Sequence, residues 1–320
     1  MSFWQKLKQT DKPIMALAPM DGVTDYVFRE IVATTAKPDI LFTEFTNVEG
    51  LFSTKAEKTK ERLKYSENQR YIVAQLWGKK PENYKNAARI LVDLGSDGVD
   101  INMGCPADAV MKLNSGAALI LNYTQVAEII NAIKEGAQGK LGISVKTRIG
   151  INTIVTKEWL SFLLNQNVDA ITIHGRTAAE LSKVPVHWDQ IKLGVELKNN
   201  ISPNTIILGN GDVKSYDEAR QLFNAYQVDG LMLGKAIFSD PWVFDTSKIN
   251  HAKNDYLELL IKHAKLYTET YPEKKRFNAL KKYFLNYIQH IKPHTDLKDA
   301  LMKCKTLEEA KKIVNAYKDA

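Results

Sequence analysis

Eight short apolar runs punctuate the first 235 residues: IMALAP (14–19), DILFTEF (39–45), YIVAQLW (71–77), DGVDIN (97–102), GISVKTR (142–148), DAITIHG (169–175), NTIILGN (204–210) and DGLMLG (229–234). Each is nearly continuous in Val, Ile and Leu, the pattern of strands buried on both faces. Stretches with helical spacing separate most of them. PENYKNAARILVDLG (81–95) opens on Pro and closes on Gly, as helices often do. TQVAEIINAIKEG (124–136) opens on Thr124 as a cap, and SYDEARQLFNAY (215–226) opens on Ser215 with Glu218 three residues later, a capping box. Strands alternating with helices predict a parallel sheet with right-handed crossovers, and eight such units in about 240 residues fit an α/β fold, a (β/α)8 TIM-like barrel. The rival is a doubly wound open sheet. It would carry a G-x-G-x-x-G turn after the first strand, where this chain reads APMDGVTD (18–25). No internal repeat beyond the strand–helix unit is evident.

After DPWVF (240–244) the pattern changes. Residues 254–271, 276–291 and 306–317 read as amphipathic helices, with no strand among them. This predicts a barrel domain over residues 1–245 and a small C-terminal all-helical domain over 246–320.

Composition adds bounds. Of 320 residues, 44% are hydrophobic and 25% charged, ordinary for a soluble globular chain. No apolar run approaches the roughly 18–20 residues of a membrane helix, and the N-terminus lacks the apolar core of a signal peptide. Two cysteines, Cys105 and Cys304, form neither a disulfide framework nor a metal pattern. The expectation is a cytoplasmic protein with no metal, no membrane association and no implied protein partner. Charge is unevenly placed. Residues 251–320 hold 14 Lys and one Arg against four Asp and five Glu, a net +6 of the chain's +7. A basic tail on a near-neutral body suits a polyanion, nucleic acid first; a merely solvated basic face is the alternative.

In such a barrel the site lies at the C-terminal ends of the strands. The polar residues there are Gln75 on the third; Asn102 and then Cys105 on the fourth; Lys146 and Arg148 on the fifth; His174 and Arg176 on the sixth; Asn210, Gly211 and Asp212 on the seventh; Gly234 and Lys235 on the eighth. Pro19, Met20 and Asp21 end the first. Isolated buried Lys and Arg are costly, so this convergence is hard to explain as packing. The seventh and eighth ends, GNGDVKS and LGKAIF, are Gly-bearing turns leading into helices, where these barrels commonly bind phosphate. Cys105 sits in a Gly-Cys-Pro turn rather than inside an element, so it is a candidate for chemistry as well as for small apolar filling. A thiol with the ordinary pKa of about 8.5 is mostly protonated at neutral pH and can act as an acid. Asn102 could read a ligand by hydrogen bonds or cap the turn. Lys146 and His174 could instead pair with a strand-end carboxylate such as Glu44. Cys304 has no assigned role.

The motifs APMDGVTD, QLWG, DINMGCP, SVKTRIG, IHGRT, NGDV and GLMLGKA followed by DPWVF resemble, in order and spacing, those of the tRNA-dihydrouridine synthases. The resemblance runs from about residue 14 to 245, and LKKYFLNY (280–287) is similar to the family's helical domain. It implies FMN in the barrel, NADPH as electron donor, and reduction of tRNA uridine to 5,6-dihydrouridine with Cys105 as proton donor. It further implies that Pro19, Met20, Asp21, Gln75, Lys146, His174, Asn210, Gly211, Asp212, Gly234 and Lys235 bind the cofactor, with Asn102, Arg148 and Arg176 on the substrate. The family usually has Arg where this chain has Lys235, which would hold phosphate as a point charge without the bidentate fork. A target uridine in folded RNA must leave its stack, and the basic tail, with EKKR (273–276) and Lys281–Lys282, suits the extra grip this needs. Two other readings stay open. An FMN barrel acting on a free small molecule would not need the tail, and an RNA-binding barrel without catalysis would bind no flavin.

Overall fold

The apolar runs form strands at nearly the expected places. In the computed structural model, which describes residues 2–10, 12–247, 249–272 and 274–318, they are β1 (Ile14–Leu17), β2 (Ile40–Phe42), β3 (Thr46–Asn47), β4 (Ile72–Trp77), β5 (Gly98–Met103), β6 (Gly142–Arg148), β7 (Ala170–His174), β8 (Ile206–Asn210) and β9 (Gly230–Leu233). All pair in parallel, in the order β2-β1-β9-β8-β7-β6-β5-β4-β3, and β2 also pairs with β4. That second pairing closes a ring of eight strands, with the unexpected two-residue β3 lying along β4 beyond β2. The (β/α)8 barrel is therefore the observed fold, and the open doubly wound sheet is not.

Two compact units divide the chain. The first comprises Met1–Tyr26 and Pro38–Gly234, the second Val27–Lys37 and Lys235–Ala320. In the first unit the helices Pro81–Asp93, Tyr123–Ala137, Thr156–Leu164, Trp188–Ile201 and Tyr216–Tyr226 follow their strands. The Ser215 hydroxyl accepts the Glu218 N–H at 3.1 Å, as expected, while the Glu218 carboxylate reaches one residue further back, to the Lys214 N–H at 2.7 Å. Thr124 is not a cap. The helix begins at Tyr123, and Asn122 caps it by accepting the Gln125 N–H at 3.1 Å.

An internal repeat, not anticipated, appears at the N-terminal end of the barrel. Asp39, Asp97, Asp169 and Asp229 each precede a strand, at every second strand of the ring. Each carboxylate accepts a backbone N–H at the start of the preceding barrel strand: Met15 at 2.7 Å, Ile72 at 2.8 Å, Ile143 at 2.8 Å and Ile207 at 2.7 Å. Those N–H groups would otherwise be strand-end donors without a partner, so one residue type solves one problem four times.

The same end is closed by the N-terminal helix Phe3–Lys8. Phe3 and Trp4 join Ile14, Ala16, Ile40, Phe42, Val73, Ala170, Ile206, Leu208 and Met232 in one apolar cluster. Room for the two rings comes from missing side chains. A Cβ on Gly142 would lie 2.8 Å from Trp4, and one on Gly98 3.1 Å from Phe3. On β4, β5 and β6 the interior changes character toward the other end, where Gln75, Asp100, Asn102 and Ser144 are buried.

The second unit contains Lys253–Thr270, Lys274–Ile288, Thr295–Lys303 and Leu307–Lys318; the third of these helices was not expected. Leu257, Leu260, Leu280, Phe284, Leu301 and Val314 are buried in it. Phe28 stacks on Tyr283 with ring centroids 5.3 Å apart. His263 lies among these rings with Nδ1 2.7 Å from the Tyr287 hydroxyl, and burial pulls its pKa down to about 3, so it is neutral. Cys304 is buried, and its thiol donates to the Leu301 carbonyl at 3.0 Å. The side chains of the basic run 273–276 lie outside the described residues. Among the described residues no helix is long and apolar enough to cross a membrane, and no group of three or more His, Cys, Asp or Glu could hold a metal ion.

Candidate active site

Cys105 follows the end of β5 and is half-buried with a free thiol. Its turn is held from several sides. The Asn102 Oδ1 accepts the N–H groups of Gly104 at 3.2 Å and Cys105 at 2.9 Å. The Cys105 carbonyl accepts the Ala117 N–H at 3.0 Å, and the Gly104 carbonyl accepts Arg148 Nε at 2.8 Å. Gly116 has φ +62°, and a Cβ there would lie 2.7 Å from the Cys105 carbonyl oxygen, so this packing requires glycine. Asn102 is thus a turn cap in the structure, and its amide nitrogen donates to Gln75 Oε1 at 3.0 Å.

Behind Asn102 runs a chain of buried polar groups. Gln75 Nε2 donates to Asp100 Oδ2 at 2.7 Å, and the Ser144 hydroxyl donates to Asp100 Oδ1 at 2.6 Å. Burial raises the Asp100 pKa to about 6, opposed by the Ser144 and Gln75 hydrogen bonds and by the charge of Lys146. Asp100 and Ser144 escaped the sequence reading because they lie inside apolar runs rather than at strand ends. Their alternation with Asn102 and Lys146 on the inward face was the available signal.

Register sets the next layer. Asn102 is level with Lys146, and Arg148, His174 and Asn210 are level across β6, β7 and β8. Lys146 Nζ donates to Asn210 Oδ1 at 3.2 Å, and Asn210 Nδ2 donates to the Met232 carbonyl at 2.7 Å. Burial, then the neighbouring Arg148 charge, lowers the Lys146 pKa to about 8, against the attraction of Asp100 and Cys105. Arg148 is likewise lowered to about 10, by burial first and by Arg176 second. Besides Gly104, it donates to the Thr177 carbonyl at 2.9 Å and the Leu181 carbonyl at 3.3 Å, which fastens the Cys105 turn to the loop after β7. Arg176 is buried, donates to the Val184 carbonyl at 2.7 Å, lies 3.4 Å from His174 Nε2 and pairs with Asp212. The two arginines are therefore engaged within the protein. Gly211 has φ +134°, and a Cβ there would meet Val186 at 2.7 Å and His174 at 3.3 Å.

At β1 the chain turns through Pro19, Met20 and Asp21. The Met20 N–H donates to the Thr24 hydroxyl at 3.0 Å and the Gly22 N–H to Glu44 at 2.7 Å. Arg62, in a charge-rich segment that sequence reading passed over, donates to Asp21 at 2.5 Å and to the Phe45 carbonyl at 3.3 Å, with Glu44 3.6 Å away. Glu44 therefore serves this turn, with Arg62 as a cation beside it. The nearest atom to a Cβ on Gly234 would be Ala18 Cβ at 3.5 Å, ordinary contact. Lys235 opens the second unit, exposed, just before the short helix Ala236–Ser239. Chemically, Lys146, the amides of Gln75 and Asn210, and the glycines at 211 and 234 suit a ligand with anionic and hydrogen-bonding parts that lies close to backbone.

Comparison with known proteins gives a consistent picture. Residues 16–320 match the family described as dihydrouridine synthase (Dus). The chain is 37% identical to the probable tRNA-dihydrouridine synthase of Staphylococcus epidermidis, covering 99% of this chain and 96% of that protein. It is 36% identical to the Staphylococcus aureus protein of the same description, over 99% and 95%. With the probable tRNA-dihydrouridine synthase 2 of Bacillus subtilis the identity is 35%, over 99% and 96%.

Proposed function

The chain belongs to the dihydrouridine synthase family, and from that premise we propose that it reduces uridine in tRNA to 5,6-dihydrouridine, using FMN re-reduced by NADPH, with Cys105 as the proton donor. The observation that carries this reading is the meeting of a free thiol, a buried cation and neutral amides at one end of the barrel, fixed by the Lys146–Asn210 and Asn102–Cys105 hydrogen bonds.

Lys146, Gln75, His174, Asn210, the Met20 and Gly211 turns and Gly234 would hold FMN, with Asp21 and Asp212 shaping the turns and Lys235 adding positive charge for its phosphate. FMN, when bound and reduced, supplies the hydride that no side chain can provide. The protein supplies the rest. Lys146 is positioned to favour an anionic ring system through its charge. Cys105 donates the proton to the uracil carbon next to the one receiving the hydride, and its turn keeps the thiol's direction constant. Asn102 meets the uracil edge with whatever amide capacity the turn leaves. Arg148 and Arg176 shape the substrate end of the pocket by holding the loop after β7. Residues 1–245 do the chemistry and residues 246–320 grip the tRNA through phosphate contacts, in a cytoplasmic enzyme.

Three measurements test this reading. Purified protein is yellow with flavin absorbance. The tRNA of cells lacking the gene loses dihydrouridine at defined positions by mass spectrometry. Cys105→Ala keeps flavin and tRNA binding but loses at least about a hundredfold in turnover. Unchanged turnover in that variant removes Cys105 from the proton-transfer role.

A further inference from the structure

We infer that Asp100 is a positioning residue for Cys105, acting through Gln75 and Asn102 as a lock on the direction of their amides. An ionised carboxylate only accepts hydrogen bonds, whereas a Gln or Asn amide can turn over and exchange donor for acceptor. Asp100 accepts from Ser144 at 2.6 Å and from Gln75 Nε2 at 2.7 Å. With Nε2 committed, Gln75 must present Oε1 to Asn102, whose Nδ2 donates to it at 3.0 Å. Asn102 must then present Oδ1 to the Gly104 and Cys105 N–H groups, at 3.2 and 2.9 Å. The reverse orientation of Asn102 would set an NH2 group against two N–H donors and release the turn. Of the three side chains from Asp100 to Asn102, Asp100 alone cannot turn over, so it fixes the sense of the rest.

Burial supports a specific purpose. Asp100, Gln75 and Asn102 are all more than nine-tenths buried, and a carboxylate in such a place is costly where an apolar side chain would pack without penalty. The charge of Lys146, from the neighbouring strand β6, acts on it and favours the ionised form. A charge kept there at that cost is explained by what it orients.

The catalytic consequence rests on Cys105 being the proton donor; the positioning itself does not. The test is therefore the reactivity of the thiol, read in the full-length protein as the rate of Cys105 alkylation by iodoacetamide at about pH 8, followed by peptide mass spectrometry so that Cys304 does not contribute. In Asp100→Ala and in Asn102→Ala the rate departs from wild type by at least about threefold. Asp100→Asn, which can still accept from Gln75 but whose amide can itself turn over, gives a rate between wild type and Asp100→Ala. In turnover, Asp100→Ala loses about tenfold or more in kcat with KM for tRNA within about threefold, the mark of a misdirected group rather than lost binding. An alkylation rate in Asp100→Ala equal to wild type overturns the inference. Should that variant fail to fold, an unchanged rate in Asn102→Ala overturns it equally. Retained turnover in Cys105→Ala would instead dismiss the proton-donor role and leave the alkylation result to decide Asp100.

Discussion

Asp100 and Lys146 both hold a charge that the folded protein disfavours, and their pH signatures follow. The Asp100 carboxyl is raised from 3.8 to about 6. The folded state therefore binds this proton more tightly than the unfolded chain, so its contribution to stability is complete below about pH 4 and is lost as pH rises through about 6. Lys146 is lowered from 10.5 to about 8, so its penalty is complete below about pH 8 and fades as pH climbs toward 10.5. Asp100→Asn should remove the first effect. The stability difference between wild type and variant, from urea midpoints at about pH 4 and about pH 6.5, changes by roughly 2–3 kcal/mol; no change would refute the buried charge. Lys146→Met should be more stable than wild type at neutral pH while losing flavin, a trade of stability against function. Strand-end residues such as Lys146 and Asn210 were legible in sequence because polar groups interrupting apolar runs are conspicuous. Asp100 and Ser144 were less so, since a polar residue inside a run can be satisfied in many ways and its partners lie 25 and 44 positions away.

At the scale of elements, parallel strands buried on both faces wrote themselves plainly into the sequence, and each of the eight anticipated strands is present within about three residues of its expected ends. Short pieces were not legible. The helix Thr295–Lys303 spans nine residues of mostly polar sequence, too little for its period to stand out. The four aspartates that cap alternate strands escaped notice because spacings of 58, 72 and 60 residues obscure the repeat, and only closure of the barrel makes their roles alike. They carry a clear expectation. Asp97→Ala and Asp169→Ala should each cost about 1–3 kcal/mol by leaving a strand-end N–H buried without an acceptor. The corresponding Asn variants, which retain an acceptor oxygen, should cost less. Equal losses for Ala and Asn in urea unfolding would assign the effect to charge rather than to the cap.

At the scale of the molecule, charge and connectivity matter most. The segment 251–320 supplies +6 of the net charge, and tRNA affinity should fall steeply with salt if that charge meets phosphate. Lys281→Glu combined with Lys282→Glu should weaken binding and reduce the slope of log K against log salt by about two or more, read by filter binding across salt concentrations. An unchanged slope would send the grip elsewhere. Connectivity has a different consequence. The second unit takes Val27–Lys37 from the first crossover of the barrel, where Phe28 meets Tyr283 and Lys262 donates to Thr34 at 2.9 Å. The helical module is consequently not a cassette that can be cut away after residue 234. A truncated barrel would bare Phe28, Ile31 and Val32 to water, and a chimera exchanging specificity between relatives would have to carry both pieces of chain together.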